Sequence, residues 1–176
     1  MQNFKTYTLT NAIIVITILM YIVQINMEYG SIILGLNLYF EQGGYWFQPL
    51  TTMFAHGGIG HLAMNMFVLY QFGNLIEKYR GKVQLLFLYF VGGILTSLGS
   101  YAFMSAVGFS HNLVGASGAI CVLLGYVALM DRNQRKGIIT WVLVISVFPV
   151  LLGLPVAWYG HFIGLAFGFI LGFIRR

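Results

Sequence analysis

The chain alternates long apolar runs with short polar segments. The apolar runs lie at about residues 11–27, 60–76, 83–106, 114–130, 137–154 and 156–174. Each run is close to the roughly 20 residues that an α-helix needs to cross the hydrocarbon core of a bilayer. This pattern predicts an all-α, polytopic membrane protein folded as a bundle of six transmembrane helices. We expect residues 1–176 to form this one domain, because no second domain and no convincing repeat is visible.

The composition supports a membrane protein. Hydrophobic residues make up 59% of the chain and charged residues 7%, whereas a typical soluble domain has about 25% charged residues. The net charge of +5 comes from short cationic clusters between apolar runs. Membrane topology explains such clusters better than nucleic-acid binding does, so we expect no nucleic-acid partner. The lone Cys121 excludes an intramolecular disulfide.

The cations are restricted to alternate connections. The N-terminal tail, the loop after the second run, the loop after the fourth run and the C-terminus carry 1, 3, 3 and 2 cations, and the intervening loops carry none. The positive-inside rule therefore places both termini in the cytoplasm. We expect the four acidic residues to lie in loops as well: Glu28, Glu41, Glu77 and Asp131.

The first connection, from Glu28 to Ile59, is long and rich in apolar and aromatic residues. It is too long for a bare turn and too apolar for a disordered tether. We expect it to lie in the outer interface of the bilayer, with its aromatic rings at the level of the headgroups.

Four polar side chains occur at a similar depth, near the outer ends of three predicted helices. They are Ser117, His161, His61 and Asn65. An ionisable side chain inside a membrane is costly and indicates a functional site. Each residue alone has a structural explanation: a serine bonds back to its own helix, an asparagine joins helices, and a histidine sits at the interface. Their shared depth favours a functional site.

The chemistry that fits these residues is serine acyl transfer. A hydroxyl becomes a strong nucleophile when a neighbouring imidazole takes its proton, and Ser117 and His161 supply such a pair. Asn65, His61 and the amide of Ser117 are candidate donors for the oxyanion. Gly115 and Gly118 leave the serine uncovered. With no acid inside the membrane, we predict a Ser-His dyad that needs no cofactor and no metal.

Three segments together resemble the signature motifs of the rhomboid family of intramembrane serine proteases. They are His56-Gly-Gly-Ile-Gly-His61-Leu-Ala-Met-Asn65, Gly115-Ala-Ser117-Gly118 and Gly160-His161-Phe-Ile-Gly164. The resemblance implies that Ser117 is the nucleophile and His161 the base. It also implies that His61 and Asn65 assist the oxyanion and that His56 supports the structure of the first loop.

The resemblance further implies the partners and the location. The substrates would be single-span or polytopic membrane proteins, cleaved in their transmembrane segments near the outer face of the bilayer. By the same analogy, the fifth helix is a candidate lateral gate. We expect an integral protein of a bacterial inner (plasma) membrane.

The sequence departs from the family pattern at two informative places. Trp46-Phe47-Gln48 lies where the family often has Trp-Arg, so the bonds of that arginine must be replaced. Cys121 lies one turn after Ser117, where an aromatic residue that packs against the catalytic histidine is common. The orientation of His161 must therefore depend on another residue.

Small residues recur at helical spacing around the proposed dyad. Gly160, Gly164, Gly168 and Gly172 are four residues apart in the last run, and Ser117, Cys121 and Gly125 form a matching ridge in the fourth. Such ridges allow helix backbones to approach closely. We expect this contact to bring His161 within bonding distance of Ser117.

Three other functions fit the composition less well. A small transporter would place its polar groups near the middle of the membrane, and a non-catalytic, pseudoprotease-like protein that binds membrane clients normally lacks the nucleophile or the base. A zinc site at His56, His61 and His161 is disfavoured, because the spacing matches no common zinc motif.

Overall fold

The computed structural model describes residues 8–153 and 156–174, and these residues are helical throughout apart from the connecting segments. The helices are α1 (Leu9–Asn26), α2 (Gly30–Leu34), α3 (Tyr39–Gln42), α4 (Gln48–Thr51), α5 (Ile59–Arg80), α6 (Lys82–Leu86), α7 (Gly93–Val107), α8 (Ser117–Met130), α9 (Arg132–Leu151) and α10 (Trp158–Ile174). A π-helical segment, Phe87–Gly92, joins α6 to α7. The all-α prediction is confirmed.

The long helical stretches coincide with the predicted apolar runs. Among the described residues, three stretches are long and apolar enough to cross a membrane: Leu9–Asn26, Lys82–Val107 and Arg132–Leu151. The apolar helices α8 and α10 are shorter, with 14 and 17 residues. Helix α5 has 22 residues but is interrupted by polar side chains, including His61 and Asn65. These helices define a membrane protein.

The helices extend beyond the apolar runs into the charged segments, so the prediction that Glu77 lies in a loop is wrong. Glu77 and Arg80 belong to the last turns of α5, and Gly81 alone separates α5 from α6. Asp131 begins α9 by accepting hydrogen bonds from the amides of Asn133 and Gln134. The length of an apolar run reflects the thickness of the bilayer. A helix with a capped end can continue past that run into the aqueous phase, so the helix is longer than the run. Pro155, between the fifth and sixth predicted runs, and the cations Lys5, Arg175 and Arg176 lie outside the described residues.

The end of α5 that carries Arg80 lies beside the end of α8. The guanidinium of Arg80, at the end of α5, is 3.3 Å from the sulfur of Met130, at the end of α8. Ser117 is at the other end of α8, about 20 Å away at a rise of 1.5 Å per residue. Ser117 and Arg80 therefore lie at opposite ends of the bundle.

The first connection is folded and is bonded to the segment that precedes α8. Leu36 and Leu113 pair as an isolated antiparallel bridge, with both backbone hydrogen bonds at 2.9 Å. Gln48 is fully buried, and its amide nitrogen donates to the carbonyls of Ile32 and Ile33 at 3.1 and 3.3 Å. The side chain of Gln48 thus supplies hydrogen bonds within the first connection.

Helix α1 is bonded to the rest of the bundle at both ends. Near its start, the carboxylate of Glu77 accepts hydrogen bonds from the amides of Leu9 and Thr10, each at 2.9 Å. Near its end, the side chain of Gln24 exchanges two hydrogen bonds of 2.8 Å with the backbone of His56. These contacts join α1 and the remaining helices into one unit.

Helix α8 forms the centre of the bundle, and α10 packs directly against it. A methyl group added at Gly164 would collide with the carbonyl of Gly118, and one at Gly168 would collide with the carbonyl of Val122. A methyl at Gly125 would likewise meet the backbone of α10. The predicted close approach of the two small-residue ridges is confirmed.

Candidate active site

Ser117 is the first residue of α8 and follows a glycine whose backbone few other residues could adopt. Gly115 has φ of +131°, and a Cβ atom there would lie 2.7 Å from Cε1 of His61. The amide of Gly115 donates to the carbonyl of Thr52 at 2.9 Å. Gly118, on the other side of the serine, faces Thr96, whose methyl would be 3.0 Å from an added Cβ. Both glycines therefore permit close packing around Ser117.

Ser117 and His161 form a direct hydrogen bond. The Ser117 Oγ and His161 Nε2 atoms are 3.1 Å apart, although 44 residues separate them in sequence. His161 is in the first turns of α10 and is buried, with 8% of its surface exposed. Gly164 sits one turn further along and holds α10 against α8. At this distance the hydroxyl of Ser117 can pass its proton to the imidazole of His161.

The second ring nitrogen of His161 contacts Ser146, a residue that the sequence analysis did not single out. Ser146 Oγ lies 3.0 Å from His161 Nδ1 and is fully buried in α9. Among the described residues, the imidazole of His161 is thus hydrogen-bonded to two serines and to no carboxylate. The signal for Ser146 was present in the sequence: with Thr140, it is one of two hydroxyl side chains in the apolar run 137–154.

His61 and Asn65 line the same cavity as the dyad. The cavity has a volume of about 710 Å³ and lies between α5, α8, α9 and α10. One hydrogen of the Asn65 amide is used, because Nδ2 donates to the carbonyl of His61 at 2.8 Å. An amide NH₂ group has two hydrogens, so the second is available to a ligand. The backbone amides in the first turn of α8 also lack acceptors within the helix.

His56 contacts the backbone immediately before the serine. Its Nε2 atom accepts the amide N–H of Ala116 at 3.4 Å, and its Nδ1 atom is 3.2 Å from the carbonyl of Phe54. Burial, followed by the neighbouring His61, lowers the pKa of His56 to about 4. The ring is therefore neutral at physiological pH. This agrees with its bonding, because Nε2 can accept the Ala116 amide only when it carries no proton. His56 braces the segment that presents Ser117.

The two departures from the family pattern have structural counterparts. Cys121 is buried where α8 meets α10. A Cβ atom added at Gly164 would lie 3.0 Å from the Cβ atom of Cys121. Cys121 has no ring to pack against the imidazole, and Ser146 contacts the imidazole instead. His111 adds a further polar side chain to the lining of the cavity, with its Nδ1 atom 3.4 Å from the hydroxyl of Tyr159.

The histidines do not form a metal centre in the described part of the chain. His56 and His61 have ring centroids 5.2 Å apart. No group of three or more His, Cys, Asp or Glu side chains among the described residues is arranged to hold a metal ion.

Comparison with known proteins gives the family. A family model for the rhomboid domain matches residues 43–176. The chain therefore belongs to the rhomboid family.

Individual relatives agree with this assignment. The chain is 35% identical over 133 residues to the Rhomboid protease GluP of Bacillus subtilis, covering 72% of this chain and 25% of the relative. It is 34% identical over 141 residues to RHOMBOID-like protein 4 of Arabidopsis thaliana, covering 76% of this chain and 35% of the relative. A third relative is the mitochondrial presenilin-associated rhomboid-like protein A of Danio rerio, 35% identical over 88 residues that cover 50% of this chain and 23% of that protein. The alignments thus span about a quarter to a third of the relatives' own lengths.

Proposed function

We propose that the protein is an intramembrane serine endopeptidase that cleaves transmembrane segments of other membrane proteins by a Ser117-His161 dyad. The observation that carries this proposal is the 3.1 Å bond between Ser117 Oγ and His161 Nε2 at the wall of a large cavity. Family membership supports the reaction class, because one of the relatives is a rhomboid protease.

The first half-reaction follows from the geometry. Ser117 Oγ attacks the scissile carbonyl carbon while its proton passes to His161 Nε2, and the carbonyl oxygen becomes an oxyanion. The free hydrogen of the Asn65 amide, the His61 ring and the Ser117 amide are the donors for this charge. His161 then gives the proton to the leaving amine as the carbon–nitrogen bond breaks, which leaves an ester on Ser117.

The second half-reaction needs water at the same place. A water molecule loses a proton to His161 Nε2 and attacks the ester, and the proton then returns to Ser117 Oγ. The cavity supports this step, because polar atoms of Asn112, His111 and His61 line it together with the dyad. Its volume of about 710 Å³ leaves room for water beside a peptide.

The cavity also suggests how a substrate helix reaches the serine. Met64 of α5 and Trp141, Ile145 and Pro149 of α9 line its sides. We propose that a transmembrane segment passes between α5 and α9, with α9 as the lateral gate. A helical peptide bond must unwind before attack, because its carbonyl is hydrogen-bonded, so substrates should carry helix-poor residues at the cleavage site.

The proposed topology places this site near the outer face of a bacterial inner membrane, with both termini in the cytoplasm. The supporting observation is that Arg80 and Met130 meet at the end of the bundle opposite Ser117. We also propose that residues 1–176 act as one six-span domain, since α1 is bonded to α5 and to His56.

Cleavage of a single-span test protein in proteoliposomes tests the function. Wild-type protein should cleave it within the membrane segment, and Ser117→Ala should not. Ser110→Ala, at an exposed serine in the preceding loop, is the matched control and should cleave normally. Binding of the test protein without cleavage by the wild type would favour a pseudoprotease-like client-binding protein, and vesicle uptake of small solutes without cleavage would favour a transporter.

A further inference from the structure

Helix α9 turns one narrow face toward the bundle, and Ser146 is the polar residue on it. The buried residues of α9 are Ile138, Val142 and Ser146, at intervals of four. Ser146 is fully buried, and its Oγ has two close neighbours, the carbonyl oxygen of Val142 at 2.6 Å and Nδ1 of His161 at 3.0 Å. A buried hydroxyl in an apolar stripe is costly unless its bonds are made.

The two contacts fix the direction of each hydrogen bond. A carbonyl oxygen only accepts, and a serine hydroxyl has one hydrogen to donate. The short Val142 contact therefore takes the hydrogen of Ser146, and the Ser146 oxygen is left to accept a hydrogen from His161 Nδ1. A neutral imidazole carries a single N–H. With that hydrogen on Nδ1, the Nε2 atom presents a lone pair to Ser117 Oγ at 3.1 Å.

We infer that Ser146 is a positioning residue of the active site, which holds His161 in the Nδ1–H form that can accept the proton of Ser117. This inference rests on the proposed function of the dyad. In acyl-transfer triads a carboxylate holds the histidine in this form. Here a neutral hydroxyl on a different helix does so, and its own hydrogen is committed to the carbonyl of Val142.

The opposite arrangement would disable the dyad. If Ser146 donated to Nδ1, the Val142 carbonyl would lose its 2.6 Å partner and the imidazole hydrogen would sit on Nε2. Nε2 would then donate to Ser117 Oγ and could not take its proton. During the reaction, the Ser146 oxygen also keeps the Nδ1–H of the charged imidazolium hydrogen-bonded while Nε2–H turns to the leaving amine. Ser146 thus accepts the Nδ1–H hydrogen bond of both the neutral imidazole and the charged imidazolium.

The contact with Ser146 also orients His161, which has no aromatic side chain at position 121 to pack against. A ring stacked on the imidazole would restrain its tilt but would not choose between its tautomers. The Ser146 bond does both, because it fixes a direction in space and a proton position. Loss of this bond should therefore affect the chemical step more than the binding of substrate.

The first test is the tautomer itself. ¹⁵N spectra of histidine-labelled wild-type protein at neutral pH, with the His161 signals identified by their loss in His161→Ala, should show a protonated Nδ1 and an unprotonated Nε2. The opposite assignment in the wild type would overturn the inference, and this result does not depend on the folding of any Ser146 variant.

The second test is Ser146→Ala with a matched control. We expect kcat to fall about 10- to 100-fold with KM unchanged within about twofold, less than the roughly 10⁴-fold cost of the wrong tautomer in a carboxylate triad. Thr17→Val is the control. Thr17 is also fully buried and donates to the carbonyl four residues earlier, at 2.8 Å, but on α1 and away from His161. It should keep wild-type kcat.

The outcomes separate this inference from the proposed function. Wild-type kcat and unchanged His161 signals in Ser146→Ala, with Ser117→Ala inactive, would refute the role of Ser146 and leave the dyad intact. A wild-type protein that fails to cleave substrate while showing protonated Nδ1 would refute the protease and leave the Ser146 bond in place.

Discussion

Gly164 of α10 lies so close to Gly118 of α8 that a single methyl group at Gly164 would collide with the Gly118 carbonyl. Gly118 directly follows Ser117, and Gly164 is one turn from His161. The separation of Ser117 from His161 therefore depends on the absence of a side chain at this crossing. Small residues serve the same purpose at other close helix contacts in membranes.

Gly164→Ala should consequently damage both activity and stability. The added methyl must push α10 away from α8, which overpacks the core at a cost of about 1–3 kcal/mol and lengthens the bond between Ser117 and His161. The measurements are thermal unfolding in detergent and turnover of a test substrate. Gly137→Ala is the control, because nothing lies within 4 Å of an added Cβ there. It should be neutral or stabilising by up to about 1 kcal/mol, and equal effects of the two substitutions would argue against the packing account.

Asn65 offers a test of the oxyanion donors with an internal control on the same helix. Asn65→Ala should lower kcat by about 10²- to 10³-fold, the range for losing one such donor, while Ser117 stays reactive toward a small fluorophosphonate. Asn74 makes the same 2.8 Å bond to the carbonyl four residues earlier, but it is half-buried and does not line the cavity. Asn74→Ala should therefore retain full turnover. If Asn65→Ala lowers only the thermal stability, Asn65 is a structural residue.

The stability of the first loop should depend on pH through His56. The pKa of His56 is lowered to about 4 by burial and by His61, whereas an unfolded histidine has a pKa near 6.5. As the pH falls below about 6.5, the unfolded state takes up a proton that the folded state does not, so stability is lost between about pH 6.5 and 4. Thermal unfolding measured across this range should show the loss. The slope should be smaller in His56→Gln, and an unchanged slope would show that His56 does not contribute.

Gln48 should be needed to hold the first connection together. Its fully buried amide bonds the carbonyls of Ile32 and Ile33. Gln48→Leu removes one donor from each carbonyl and leaves Ile32 bonded only to the side-chain amide of Asn37, at a cost of about 1–3 kcal/mol. Limited proteolysis of the connection, together with thermal unfolding, measures the effect. Gln42→Leu, at an exposed position at the end of α3, should leave both unchanged, and equal protease sensitivity in the two variants would contradict the account.

The sequence predicted what depends on local spacing. His61 and Asn65 are four residues apart and line one cavity, and the glycines of α10 form the expected contact with α8. Spacing on a helix fixes the face that a residue occupies, and small residues mark close helix contacts. The expectation that His161 comes within bonding distance of Ser117 followed from the close contact of the small-residue ridges.

What the sequence did not predict depends on partners far along the chain. Gln24 bonds His56 across 32 residues, and Ser146 bonds His161 across 15. No local pattern ties these residues together, since the pairing arises only when different helices pack. The ends of the helices were also missed at Glu77, because apolar length measures the bilayer and does not count the helical turns that continue into water.

Covalent labelling tests the central claim most directly. The protein should react with a fluorophosphonate at one serine, identified by mass spectrometry as Ser117. His161→Ala should slow the reaction by at least about 10²-fold, the usual contribution of a positioned base, while Ser110→Ala should react at the wild-type rate. Labelling of a different serine, or undiminished labelling of Ser117 in His161→Ala, would contradict a Ser117-His161 dyad.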